Sequence, residues 1–416
     1  MTPKRFKSKK KSMRRIVTTA LIGIAFGALS PLSHVSAQSN VHEVFKNKSL
    51  KSALEDNAPS LRQHLWKRRQ ALDDWWAVPT SELRPVDLKA VATAKNRAGF
   101  RELRVREFHY IGDCGYAHGG QDAGVGTTTM AMAVFASDLA ESFLNQAALA
   151  GAVVDSVAIE IHGRPDAVPT GRIDYPRNFL YTIFVDSPED DETINRIAEK
   201  AEKASGVVQF IKSAYTAPFE IELTESPRKK VVNGSTLEGL REYIKGKRQA
   251  ILAAKASSAN TKKVSVKGEP KGPVVRVFPN GIRQLNVSGK YLILHDNPAY
   301  LGGTNLGMTS REGLLGVLAT CITHISEGTA AELNLDIDSL QVEVHGNWDP
   351  RSGREGFENV PDYPQDIRFI LRVKTPETPE TVRKWLEKTE AQCPMYNMFK
   401  DTQTFERRVV RINHSL

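Results

Sequence analysis

Three cysteines, Cys114, Cys321 and Cys393, carry most of the reactive chemistry open to this 416-residue chain. None belongs to a C-x-x-C pair, and three thiols are too few for a disulfide scaffold or a multi-cysteine zinc module. Cys321 stands in the apolar run Leu318-Ala319-Thr320-Cys321-Ile322, and Cys393 follows an amphipathic stretch in Gln392-Cys393-Pro394-Met395. A thiol inside an apolar helix serves either redox chemistry or core packing, since free Cys is among the most buried residue types. Cys114, in Gly112-Asp113-Cys114-Gly115, reads as an incidental loop thiol.

The elements that must position these thiols occur twice. Shifting the chain by 183 residues lays 101–163 on 284–346 without a gap, with Asp155-Ser156 on Asp338-Ser339, Gly119-Gly120 on Gly302-Gly303 and His162-Gly163 on His345-Gly346. Downstream the offset is 188, with Tyr175-Pro176 on Tyr363-Pro364; upstream it is 179, with Arg69-Gln70-Ala71 on Arg248-Gln249-Ala250. Hydrophobic periodicity predicts one order of elements for both copies. A charged helix (60–73 or 237–254) and a polar linker lead to alternating strands (100–111 or 283–294). A Gly-rich loop and a long apolar helix follow (128–149 or 310–333). Two strands, an amphipathic helix and a last strand complete each copy. In this register Cys321 corresponds to Asp138 and Cys393 to Ser205. Both thiols are replaced together, as expected of a functional pair lost as a unit.

Composition is ordinary for a globular protein, 40% hydrophobic and 25% charged, which excludes disorder and coiled coil. The net charge of +9 suggests a nucleic-acid partner until it is located. Residues 1–37 hold eight basic side chains and no acid, so removing them leaves +1 for the rest. No nucleic-acid partner is expected. The same leader passes from its basic stretch through an apolar run at 16–29 to Val35-Ser36-Ala37, the order of a secretory signal peptide. Export to a periplasm or the exterior is expected, with no membrane span after signal cleavage; an uncleaved signal makes the chain membrane-anchored.

Four segments together resemble the OsmC/Ohr family: the turn region from Asp296-Asn297-Pro298 to Leu306-Gly307, the helical stretch 312–321 ending on Cys321, Val342-Glu343-Val344-His345-Gly346, and Cys393-Pro394. The resemblance spans 275–416 and, more weakly, 95–226. It implies an α+β fold of two tandem OsmC-like domains forming an intramolecular pseudo-dimer behind a signal peptide. The chain then divides into the signal peptide (1–37), an N-terminal helical and linker segment (38–94), a degenerate domain (95–226), a helix and linker (227–274) and the domain that keeps its thiols (275–416). It further implies a thiol peroxidase with no bound cofactor. In that chemistry the Cys321 thiolate attacks an organic hydroperoxide and becomes a sulfenic acid, Cys393 condenses with it to a disulfide, and an external dithiol reduces the product. The implied partners are the hydroperoxide and the dithiol, with further assembly into a homo-oligomer left open.

The resemblance also implies an activating Arg from an early strand and a Glu at the start of the cysteine helix. Glu312 occupies the acid position of one subfamily, and Arg311 stands where other members place it. Nine residues are two and a half helical turns, which turns Glu312 and Cys321 to opposite sides, and Thr309-Ser310-Arg311-Glu312 also reads as a capping box. Arg283 is the early-strand candidate of the second copy; Arg97 and Arg101 are equally placed in the first. His324 either shares the face of Cys321 or packs as a core residue. His162 and His345, present in both copies, read as structural. Asp138, in an apolar helix, needs a partner, water or a raised pKa. The competing reading is an exported non-catalytic small-molecule-binding protein in which Cys321 and Cys393 form a permanent disulfide, since an oxidising compartment closes such a pair.

Overall fold

The computed structural model describes residues 60–95, 100–115, 119–164, 173, 175–231, 237–258, 272–287 and 290–412. The expected signal peptide, Arg97 and most of the linker at 255–273 lie outside these residues. Helix α1 (Leu61–Ala77) is capped by Ser60, whose hydroxyl accepts the N–H of Gln63. Strands β1 (Val86–Ala94), β2 (Arg101–Val105) and β3 (Phe108–Gly112) follow. Next come α2 (Thr127–Ala150), β4 (Ser156–Arg164), β5 (Arg177–Asp186), α3 (Asp191–Ala204), α4 (Gly206–Lys212) and β6 (Phe219–Glu225). The second half runs in the same order: α5 (Leu240–Ser258), β7 (Val274–Val277), β8 (Arg283–Val287), β9 (Tyr291–His295), α6 (Ser310–Leu333), β10 (Ser339–Trp348), β11 (Gln365–Thr375), α7 (Pro379–Gln392), α8 (Pro394–Lys400) and β12 (Phe405–Arg411).

Two strands, β1 and β7, fall where the sequence suggests linker. The inward residues of β1 are Ala90, Ala92 and Ala94, which carry little β propensity and a faint period-2 signal. β7 has only four residues. Residues 86–94, assigned from sequence to the N-terminal segment, are therefore part of a sheet.

The strands form two six-stranded sheets, ordered β3-β2-β1-β10-β11-β6 and β9-β8-β7-β4-β5-β12. Each joins a three-stranded antiparallel meander from one half of the chain to two strands from the other half. β1 pairs with β10, Ala90 facing Val344, and β7 pairs with β4, Val275 facing Ile159. A parallel edge strand finishes each sheet, β6 beside β11 and β12 beside β5. Between the sheets lie α2 and α6, which are apolar around their whole circumference and buried along most of their length. α6 packs on β1, β2 and β10, α2 packs on β4, β7 and β8, and the two helices pack on each other. α1 and α3 cover α2, while α5 and α7 cover α6. Matching ion pairs fasten the outer helices: Arg62 with Asp155, and Arg241 with Asp338.

Candidate active site

Cys321 lies midway along α6 and is 2% exposed; Cys393 joins α7 to α8 and is fully buried. Their sulfurs are 3.3 Å apart, with the Cys393 thiol donating to Cys321. Pro394 opens α8, where its missing N–H is no loss, and the following N–H, that of Met395, donates to the Cys321 sulfur. Thr127, in the first turn of α2, adds a side-chain hydrogen bond, and Arg101, first residue of β2, adds a positive charge. Burial opposes a charged sulfur here. The Cys393 thiol, the Met395 N–H, Arg101 and Thr127 outweigh it and hold the Cys321 thiol below its ordinary pKa. Cys393 goes the other way: burial and the adjacent Cys321 push its thiol well up. Of the two, Cys321 is the more acidic thiol and Cys393 the one that keeps its proton longer.

Arg101 is completely buried. Its Nη1 lies 3.3 Å from Glu327 Oε2 and 3.2 Å from His324 Nδ1. Lys247, from α5, reaches the same carboxylate oxygen at 3.4 Å and the same ring nitrogen at 3.3 Å. Arg and Lys have only donors, so His324 Nδ1 is the acceptor of both. Arg101 Nε and Nη2 and Glu327 Oε1 have no hydrogen-bond partner among the described residues. Gly112, opposite Arg101 on β3, makes the close approach of α6 feasible, because a Cβ there would stand 2.6 Å from Thr320 Cγ2.

The corresponding place on α2 holds Asp138, which accepts from Ser205 Oγ at 2.6 Å and from the N–H of Val207 at 3.0 Å. Burial, with the nearby Glu141 charge, pushes its carboxyl up to about 6. The positive charge that opposes this rise is that of Arg311, whereas Arg283 pairs with the neighbouring Glu141. Arg283 Nε donates to Ser137 Oγ at 3.0 Å, and its Nη2 lies 3.0 Å from Asn297 Oδ1 and 3.2 Å from Glu141.

Two of the four residues singled out from sequence are thus brought together, and two are not. Arg283 does not join the thiols, because β8 lies in the sheet that covers α2 whereas β2 lies in the sheet that covers α6. Arg101 is the arginine at the sulfur. It sits opposite Gly112 as Arg283 sits opposite His295, so the second hairpin is one residue longer, and an ungapped shift of 183 hides the correspondence. Glu312 caps its helix instead: it accepts the N–H of Thr309 at 2.8 Å and pairs with Arg106 at 2.6 Å. The carboxylate paired with Arg101 is Glu327, which the sequence signals only as an acid in an apolar helix. Lys247 is also missed, although the upstream register sets it on Arg68, a second buried cation. Cys114 is half-buried and close to Lys247 and Arg101; burial, set against those charges, raises its thiol. His345 contacts Asp87 and Glu343, away from the sulfurs. A separate groove of about 800 Å³ runs over the outer face of the first sheet, lined by Lys89, Val91, Tyr300, Glu312 and Trp348 and by neither Cys321 nor Cys393.

Comparison with the curated proteins gives no match. Among solved structures, the crystal structure of an OsmC-like protein from Mycoplasma pneumoniae is similar over 35% of this chain and 96% of its own, at 14% identity and a TM-score of 0.28. The family model for OsmC-like protein matches residues 303–407, a stretch that includes both buried thiols. That stretch of the chain is an OsmC-like domain.

Proposed function

We propose that the protein is a thiol-dependent peroxidase for organic hydroperoxides, built as a pseudo-dimer of two OsmC-like halves with one working thiol site. The observation that carries this reading is the 3.3 Å contact between two buried sulfurs whose thiols are shifted in opposite directions. The Cys321 thiolate attacks the terminal peroxide oxygen, the O–O bond breaks, and Cys321 becomes a sulfenic acid while the alkoxide leaves and takes a proton from solvent. Arg101, with two guanidinium nitrogens unpartnered among the described residues, lends its positive charge to this step. The Cys393 thiol then attacks the sulfenic sulfur, forming the disulfide and releasing water, and an external dithiol returns both sulfurs to the reduced state. The enclosing apolar helices shield the sulfenic acid from further oxidation and suit an organic hydroperoxide. His324 and Cys114, only partly buried, mark the side from which it enters. Export by the leader places this activity outside the cytosol.

The enclosure of both sulfurs also favours a second reading, an exported small-molecule-binding protein with a permanent disulfide. Peroxide consumption in the presence of a dithiol separates the two. The peroxidase reading expects turnover by the wild type and none by Cys321→Ser; equal consumption by both proteins, or none by the wild type with any dithiol, contradicts it.

A further inference from the structure

We propose that Lys247, carried on α5 outside the OsmC-like segment, is a positioning residue of the thiol site that supplies a second cation for the Cys321 thiolate. This rests on the peroxidase reading for its use, but its argument is charge balance. Arg101 and Lys247 share a single carboxylate oxygen of Glu327, and all three side chains are buried. His324 accepts from both cations and so is neutral. Asp113 is a buried carboxylate nearby, but its oxygens accept the N–H groups of its own loop, those of Cys114, Gln121 and Ala123, and it forms no ion pair with either cation among the described residues. Of the two cations only one is matched by the carboxylate that both contact, and a thiolate at Cys321 is the anion that pairs with the charge left over.

The groups facing Cys321 and its cluster come from several elements. They are Arg101 from β2, Thr127 from α2, Cys393 and the Met395 N–H at the start of α8, and His324 and Glu327 from α6 itself. Lys247 and Tyr243 come from α5, and Asp113 and Cys114 from the loop after β3. Lys247 is held in place by Tyr243, whose hydroxyl accepts from Nζ at 3.1 Å. Gly119, at φ +74°, lies flat against it, where a Cβ would stand 2.7 Å from its Cγ.

The same surplus charge acts on the redox balance. When the disulfide is reduced, the external dithiol gives up two electrons and two protons; Cys393 keeps one proton, the other is released, and Cys321 is left as thiolate. The two cations stabilise that product and make the disulfide easier to reduce.

The test is a pH titration of thiolate ultraviolet absorbance on the reduced full chain, in a Cys114→Ser background, with no peroxide present. Lys247→Met is expected to raise the Cys321 midpoint by about one pH unit, a tenfold loss of thiolate below it, and to shift the equilibrium with a dithiol buffer about tenfold toward the disulfide. Lys247→Arg restores both values. Glu327→Gln moves the midpoint down, which a general loosening of the fold would not do. An unmoved midpoint in folded Lys247→Met overturns the proposal. So does a midpoint that fails to fall in Glu327→Gln, the decisive variant if Lys247→Met does not fold. A wild type that titrates as described but consumes no peroxide contradicts the peroxidase reading and leaves the assignment of Lys247 standing.

Discussion

At Cys321 a sulfur accepts from the Cys393 thiol and the Met395 N–H; at Asp138 a carboxylate accepts from the Ser205 hydroxyl and the Val207 N–H. The two pockets share a plan: an acidic group on a central helix, a side-chain donor at a helix junction, a backbone N–H from the start of a short helix, and an arginine charge from the opposing half, Arg101 at Cys321 and Arg311 at Asp138, with Arg283 on the neighbouring Glu141. They differ in what the early-strand arginine is free to do. Arg283 uses Nε on Ser137 and Nη2 on Asn297 and Glu141, and leaves only Nη1 without a hydrogen-bond partner among the described residues. Arg101 leaves Nε and Nη2 without partners among the described residues. The acid also sits differently. Glu141 is close enough to Asp138 to raise its carboxyl, whereas Arg101 is close enough to Cys321 to lower its thiol. The difference teaches that this scaffold accommodates a buried acidic group at either place; under the peroxidase proposal, the identity of that group and the engagement of the nearby arginines separate the chemical site from the structural one.

The sharpest way to break this contrast is at the sulfur. Cys321→Ser is expected to abolish peroxide consumption, while Cys393→Ser completes one turnover and leaves a sulfenic acid trappable by a dione reagent. Cys114→Ser changes neither outcome. Next in size are the two arginines. Arg101→Met should lower steady-state turnover on the order of 100-fold, as loss of a preorganised donor does, with little change in folding of the Asp138 pocket. Arg283→Met should leave turnover per folded molecule unchanged and lower stability by about 3–5 kcal/mol in denaturant titrations, because Glu141 is left with a broken buried pair.

A smaller effect follows from Asp138. Its folded carboxyl is raised to about 6, above an unfolded value of about 3.9, so the folded state binds the extra proton. Stability therefore falls as pH rises from about 4 to about 6 and stays lower above that, by about 3 kcal/mol for this group. Asp138→Asn keeps an acceptor for Ser205 and Val207 and should remove the fall, so the variant gains on the wild type at pH 8 and not at pH 4. The smallest expected change is at Glu312. Glu312→Ala loses the capping box and the Arg106 pair, which should lower stability by about 1–2 kcal/mol and leave peroxide turnover intact.

Much of this arrangement was legible in the chain. The doubled element order, the full length of α6 and the placement of Cys393 at a helix end follow from periodicity and from Pro394. The replacement of both cysteines by Asp138 and Ser205 follows from the repeat. Arg101 stood among three candidate arginines, but the choice between them was not legible, for a topological reason. Strands from each half cover the central helix of the other, so the arginine that meets Cys321 comes from residue 101 and not from the nearer Arg283. Lys247 and Glu327 are separated by 80 residues and meet only after α5 has packed on α6. Local pattern carries no signal for such a pairing. Glu312 was drawn by likeness toward the thiol, whereas its own neighbours Thr309 and Ser310 spelled the cap it makes.

The central claim, that one thiol pair works while its counterpart serves structure, is tested most directly by treating the reduced wild-type chain with one equivalent of an organic hydroperoxide and mapping the modified peptides by mass. The expected result is a Cys321–Cys393 disulfide formed in one-to-one proportion to the alcohol released, with Cys114 still a free thiol. Oxidation confined to Cys114, or a chain whose Cys321 and Cys393 remain reduced while the hydroperoxide disappears, would contradict it.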